Sequence, residues 1–320
     1  MKILSHTPGH WGEWLLLRGL IAWIRSGEFP SAYRKARWLS GVGTRIFASE
    51  WAWANANLRL VYGPNLSESQ RQRLARLAFE NIFYSYMEGM RVHEIGFEDE
   101  HPERLRAAHA LGRGVLICGV HIGCWEPGLK RLASIASPAA ILYRHANNPL
   151  SEKTFMALRA SYGVEWISRQ NTRDIMRAFQ EKKVVGFMTD INTREGAVTA
   201  PYLGIPAQCF PGPARLAMRF RTPLVPIIAT RQAPGRAIFR VGEPIDPLAG
   251  GDDPDRVAIL TRKINDAFIP WVHEFAEQYN WLHARWRARP DGSLWTPQET
   301  ASFANASHSI PSQRVLDLIS

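Results

Sequence analysis

The stretch from Gly114 to Pro127 carries a histidine, His121, and a carboxylate, Glu126, five residues apart at the end of an uncharged apolar run. Such a histidine can take a proton from a hydroxyl, and an acid bonded to its other ring nitrogen fixes the tautomer and stabilises the imidazolium. On one continuous helix the two side chains would point about 140° apart, at about 100° per residue. The pair therefore works only if His121 lies in a turn and Glu126 in the first turn of a helix. Gly119 and Gly123 permit such a turn and supply candidate backbone donors for an oxyanion, while Pro127 suits the first helical position. On this spacing alone a strand-end histidine bonded to a nearby carbonyl is the plainer reading.

The elements around the pair must put it at a ligand site. Val115–Val120 reads as a buried strand, and ligand clefts in an open α/β sheet lie outside the carboxyl ends of the strands. Periodicity predicts a long amphipathic helix over Ser67–Met90, capped near Asn65 and Ser67. Strands follow at Ala139–Tyr143, Val164–Ile167, Val184–Met188, Leu224–Ile228 and Ala237–Val241. Helices fall near Glu126–Ala136, Ser151–Tyr162, Thr172–Glu181 and Ala214–Phe220, with a Gly/Pro loop over Leu203–Pro213 and a closing helix, broken or bent at Pro270, over Asp255–Tyr279. This alternation predicts an α/β fold, a mostly parallel central sheet with helices on both faces. Two further strand ends carry polar groups: Arg144, Asn147 and Asn148 after Tyr143, and Asp190, Asn192 and Arg194 after Met188. They place Asp190 on the same sheet edge as His121.

At 320 residues and 46% hydrophobic content the chain can bury a large core. Cys118, Cys124 and Cys209 have no metal-ligand spacing and an odd count, which points to a reducing compartment and to no metal. The excess of 39 basic over 29 acidic residues, a net charge of +10, predicts an anionic partner. Trp11, Trp14, Trp23, Trp38, Trp51 and Trp53 are interleaved with Arg18, Arg25, Arg34, Lys35, Arg37 and Arg45. That mixture suits a lipid headgroup layer better than nucleic acid, for which no recognition module is present. Trp11–Ile24 is interrupted by Arg18 and too short to span a bilayer, so it reads as an interfacial helix. The expected organisation is a membrane-associated helical segment over 1–62, an α/β domain over 63–297 and a loosely held tail over 298–320.

The chain resembles the bacterial late acyltransferases of lipid A biosynthesis over about residues 11 to 292. The resemblance is carried by His121 with Glu126, by Tyr143, Arg144, Asn147, Asn148 and Pro149, by Thr189 with Asp190, by the Tyr202–Pro206 loop and by Pro211–Ala214. Its most specific part is a C-terminal signature that includes Tyr279, Trp281, His283, Arg285 and Trp286. The family's Asp–Gln pair reads Asp190–Ile191 here, and Arg18 interrupts its N-terminal membrane helix.

The resemblance implies a glycerolipid acyltransferase-like fold and an acyl transfer from an acyl-carrier-protein thioester, or acyl-CoA, to a hydroxyl of a membrane lipid. His121 would be the base and Glu126 the acid that holds it. Asp190 and Arg159 match the family's supporting acid and arginine. Arg144, Asn148, Arg159, Asp190 and Arg194 would bind substrate, the arginines meeting phosphates or the acidic carrier. A lipid A precursor is the favoured acceptor, in lipopolysaccharide biosynthesis at the cytoplasmic face of the bacterial inner membrane. A phosphatidylinositol mannoside, an ornithine lipid or a lysophospholipid would use the same residues. A thioesterase would turn the same pair on water, although a Gly-x-Ser-x-Gly elbow is absent. No organic cofactor is implied, and Cys124 is expected to play no part as a nucleophile.

Overall fold

The computed structural model describes residues 7–303 and 308–320. Thr7 caps the first helix, α1 (Pro8–Arg25), in a reciprocal capping box with His10, and Pro8 takes an N-terminal position where its missing N–H costs nothing. Two more helices follow, α2 (Phe29–Ile46) and α3 (Ala48–Tyr62). Ser67 and Gln70 form the capping box of the long α4 (Glu68–Met90), as the pattern predicts. The α/β alternation then runs β1 (Gly96–Glu100), α5 (Pro102–Ala110), β2 (Val115–Gly123), α6 (Trp125–Ile135), β3 (Ala139–Tyr143), α7 (Pro149–Arg159), β4 (Glu165–Ser168), α8 (Thr172–Gln180) and β5 (Val184–Met188). A hairpin of β6 (Val198–Tyr202) and β7 (Ile205–Cys209) precedes α9 (Gly212–Phe220), β8 (Leu224–Ala233) and β9 (Arg236–Val241). The chain closes through α10 (Arg256–Asp266), α11 (Ile269–Glu274), α12 (Pro297–Ala301) and α13 (Gln313–Ile319).

The main sheet has seven strands in the order β1-β9-β8-β2-β5-β3-β4, parallel at every junction except β8 with β9. β2 lies between β8 and β5 and is covered on both faces. Leu116, Cys118, Val120 and Ile122 enter one core, while Val115 and Ile117 enter the other. A strand covered twice must be apolar on both sides, so its residues form a continuous hydrophobic run without alternation. His121 is its one incompletely buried position.

Several expectations change. The Leu203–Pro213 loop contains all of β7, which pairs with β6 from Val198↔Cys209 to Tyr202↔Ile205 and closes on Leu203 and Gly204, both at positive φ. The closing helix is broken near Pro270, as the sequence allows, and also ends earlier than expected: α10 stops at Asp266, Pro270 sits in the first turn of α11, and after a short 3-10 turn the chain is extended at Tyr279. A proline ring cannot continue the preceding helical ladder. The tail is docked, with Val315 and Ile319 of α13 buried in the main core. Nor does position 62 mark a core boundary. Ala54, Leu58, Leu60, Val61 and Tyr62 of α3 belong to that same core, whereas Ile24, Ala32, Tyr33 and Ala36 of α1 and α2 form a smaller cluster with Met87. Trp53 is buried and Trp51 packs on the main core, so neither is available to a surface. Trp14 donates to Thr154 Oγ1 at 3.0 Å. Among the described residues no helix is long and apolar enough to cross a membrane.

A buried charge network ties α4 to the sheet. Arg231 of β8 donates through Nε and Nη2 to Glu88 at 2.5 and 2.6 Å and through Nη1 to Asn81 at 2.6 Å. Tyr33 of α2 donates to the same Glu88. With its side chain 1% exposed, Glu88 cannot reach water if Arg231 is removed. Arg231→Ala should therefore cost about 3 kcal/mol or more of unfolding free energy, as expected when one partner of a buried pair is lost. Denaturant unfolding of the two proteins under the same conditions tests this; a difference under about 1 kcal/mol would mean that solvent enters the site.

Candidate active site

Strand order places the reacting groups. Because β2 pairs in parallel with β5, with Gly119 opposite Met188, the residues that leave the two strands meet at one edge. Thr189 N donates to Gly119 O at 2.8 Å, which carries the strand pairing one step past β5 and brings Asp190 under His121. His121 N donates to Asp190 Oδ2 at 2.8 Å, and His121 Nδ1 lies 2.9 Å from Oδ1. Asp190 is buried, and its side chain is 3% exposed against 28% for that of His121.

Burial alone would drive both groups toward neutrality, but their attraction outweighs it. The His121 imidazole is desolvated, yet the Asp190 charge and hydrogen bond, helped by Glu126, raise its pKa above the ordinary histidine value. Asp190 is desolvated too, and His121 together with its backbone N–H, and more weakly His283, holds the carboxyl below the ordinary value. An ionised carboxylate only accepts, so Nδ1 carries the proton of the neutral imidazole and Nε2 is left with its lone pair as a base.

Glu126 does not hold the imidazole as expected. It lies in the first turn of α6 and pairs through Oε1 with Arg159 Nη2, while Tyr162 donates to Oε2 at 3.3 Å. The turn that separates it from His121 is the reason. Gly123 adopts φ +58°, where a Cβ would fall 2.1 Å from Ala229 O, and it aims α6 so that Glu126 faces α7 rather than β5. Glu126 acts on His121 through space, as a neighbouring charge. The turn is also shorter than expected: Gly119 lies inside β2 with its carbonyl serving Thr189, and Gly123, the last residue of the strand, starts the turn into α6.

His121, Glu126, Arg144, Arg159 and Gly119 line one cavity of about 810 Å³. Its lower wall is apolar and includes Ile117, Leu129, Ile141, Ile227 and Phe239. Glycines keep that part open, because a Cβ at Gly186 would fall 2.6 Å from Ile141 Cδ1 and one at Gly128 would fall 2.8 Å from Ala229 Cβ. Arg159 enters across α7 with its guanidinium 4.7 Å from the Trp166 ring centre, and Arg144 stands exposed at the rim beside Asn147. Three expected substrate contacts fall elsewhere, the first being Asp190, which is buried against His121 and outside the cavity lining. Asn148 is buried as the cap of α7, accepting from Leu150 N and donating to His10 O, so it anchors α1. Arg194 is exposed and outside the lining. Trp125, whose ring meets His121 edge-on at 5.4 Å, and Trp166 went unnoticed as site residues. Only their positions, beside the motif and at a strand end, signalled them. Burial pushes the Cys124 thiol far above its ordinary pKa, which suits no nucleophile. Among the described residues no cluster of side chains could hold a metal ion.

The structure is a mostly parallel α/β sheet that brings an acid–histidine pair to a largely apolar cavity, an arrangement that can move a proton beside an apolar group. The chain belongs to the bacterial lipid A biosynthesis acyltransferases, whose family model matches residues 1–288, and it is an acyltransferase. It is 25% identical to the lipid A biosynthesis lauroyltransferase of Escherichia coli (strain K12) over 302 residues, 89% of this chain and 94% of that one. It is 27% identical to the lipid A biosynthesis palmitoleoyltransferase of the same strain over 306 residues, with the same shares covered. A solved structure, the 1-acyl-sn-glycerophosphate acyltransferase of Thermotoga maritima, aligns over 71% of this chain and 95% of its own at 9% identity, with a TM-score of 0.36, too low to bear on function.

The raised pKa of His121 has a direct readout. Its ring should titrate above the ordinary value of about 6.5, and Asp190→Asn should lower the midpoint, because burial is then opposed by the Glu126 charge alone. Histidine-labelled NMR of the whole protein measures both. A midpoint unmoved by Asp190→Asn would contradict the pairing.

Proposed function

We propose that this protein transfers a fatty acyl chain from an acyl-carrier-protein thioester to a hydroxyl of a lipid A precursor, with His121 as the general base. The observation that carries the reading is the His121–Asp190 pair at the mouth of an apolar cavity whose far wall is hydrocarbon. His121 Nε2 takes the acceptor's O–H proton as its oxygen attacks the thioester carbonyl. Collapse of the tetrahedral intermediate breaks the C–S bond, and the imidazolium returns the proton to the leaving thiolate. No enzyme nucleophile enters. The first turn of α6 leaves the N–H groups of Trp125 and Glu126 without helical acceptors, and both residues line the cavity, so they are the candidate oxyanion donors. Arg144, exposed beside Asn147, supplies a guanidinium for headgroup phosphate, while Arg159, part-buried and paired with Glu126, lines the same cavity. The acyl chain would lie among Ile117, Ile141, Ile227 and Phe239.

The same reading puts the enzyme at the cytoplasmic face of the inner membrane, held through α1 and α2. Trp11, Leu15 and Trp23 on α1 and Trp38, Val42 and Ile46 on α2 are exposed at helical spacing, and the Trp23 and Trp38 rings meet edge-on at 5.9 Å, joining the two stripes. α1 is fastened to the first half of α7 through Trp14, Glu13 and His10, and α7 ends at Arg159, which lines the cavity.

His121→Ala should cut acyl transfer by roughly 10²-fold or more in a folded protein. The assay uses acyl carrier protein and acyl-CoA as alternative donors, a lipid A precursor and a lysophospholipid as alternative acceptors, and mass spectrometry of the lipid product. Near-normal turnover in that variant would overturn the mechanism, and thioester loss without an acylated lipid would replace transferase by thioesterase. Attachment can be tested by sedimentation with vesicles. Basic residues near an anionic surface contribute about 1 kcal/mol each within a Debye length, so binding should fall with added salt and with removal of anionic lipid. Attachment indifferent to both would exclude an interfacial anchor.

A further inference from the structure

The C-terminal signature residues line no part of the cavity, yet both catalytic elements are fastened to them. Tyr279 pairs with Ile122 at the end of β2, and Asn280 N donates to His121 O at 2.9 Å. Three residues on, His283 meets the segment after β5. Asn192 N donates to His283 Nε2 at 3.0 Å, and Asn192 Nδ2 donates to Ala284 O at 3.1 Å. The segment that bears these contacts is itself rigid. Asn57 of α3 donates to both Trp281 O and His283 O at 2.8 Å. Arg285 is buried, bonded to Gln208 O and Cys209 Sγ at 2.9 Å each, with its guanidinium over the Tyr202 ring.

A ring nitrogen that accepts from an amide carries no proton, so His283 is neutral with its proton on Nδ1. Burial favours that form, as do the neighbouring charges of His121 and Arg285, against the opposing pull of Asp190.

We propose that His283 is a positioning residue for the base: by accepting the Asn192 N–H it fixes the backbone two residues beyond Asp190 and keeps that carboxylate seated on both N–H groups of His121. The proposal rests on the reading of His121 as the base. Protonation of His283 would set an N–H donor against the Asn192 N–H and loosen this seat.

Two amide variants of the full-length protein isolate the effect. In His283→Gln the side-chain oxygen can occupy the place of Nε2, whereas in His283→Asn it stops one bond short. The Asn variant should lose roughly 10-fold or more in kcat with KM little changed, since small misplacements of a base are costly. Its His121 midpoint, read by NMR, should fall toward the ordinary value, and the acidic limb of the rate profile should move to lower pH with it. The Gln variant should recover kcat to within about threefold and restore the His121 midpoint. An Asn variant whose His121 titrates as in the unmodified protein would overturn the proposal, because any lost activity would then be structural. So would a Gln variant no better than the Asn variant. If the Asn variant does not fold, the ring nitrogen shifts of His283 in the unmodified protein decide: a proton on Nε2 overturns the proposal, and a bare, hydrogen-bonded Nε2 sustains it. Retention of acyl transfer by His121→Ala would defeat the functional reading instead, and the NMR results would still judge the positioning of Asp190.

Discussion

The site depends on one carboxylate kept charged where water does not reach it. Asp190 is tolerated in its buried position because His121 satisfies both of its oxygens, one through the backbone and one through the ring. That double contact requires two strand ends in fixed register, which the parallel pairing of β2 with β5 provides. Remove the register and the acid must either take up a proton or find solvent, and in both cases the imidazole loses what raises its basicity. The sheet is in this sense a device for holding a desolvated charge at a set distance from a ring.

Glu126 and Arg159 form a second layer of electrostatics around the same ring. Their pairing across α6 and α7 neutralises each charge locally, and the Trp166 face covers the guanidinium. The cavity can therefore be mostly apolar below His121 while keeping ionic groups at its rim. A substrate with a hydrocarbon tail and a phosphorylated head has the same division.

Much of this was legible in the residue order, and the limits have physical causes. β2 and β5 were readable because doubly covered strands are apolar throughout, and α4 because its cap and stripe agree. That Asp190 shares an edge with His121 followed from the alternation of strands and helices. Its direct contact with the ring did not, because sequence spacing drew attention to Glu126 and could not show which acid the turn at Gly123 would bring within reach. Asn148 looked like a ligand-binding residue and proved to be a helix cap, since both roles favour the same short amide. The hairpin of β6 and β7 was hidden by its prolines and glycines, which mark turns wherever they occur. The buried pair Arg231–Glu88 joins positions so far apart in the chain that no local pattern could announce it.

The fastening of His121 and Asn192 by Asn280 and His283 also sets an order of events in synthesis. His121 and Asp190 leave the ribosome well before the residues that hold them. Until those arrive, the segment after β5 lacks its acceptor and the end of β2 lacks its partner strand. A nascent chain would thus carry His121 and Asp190 without the contacts that fix their geometry, and the pair would be set only once the C-terminal segment has docked.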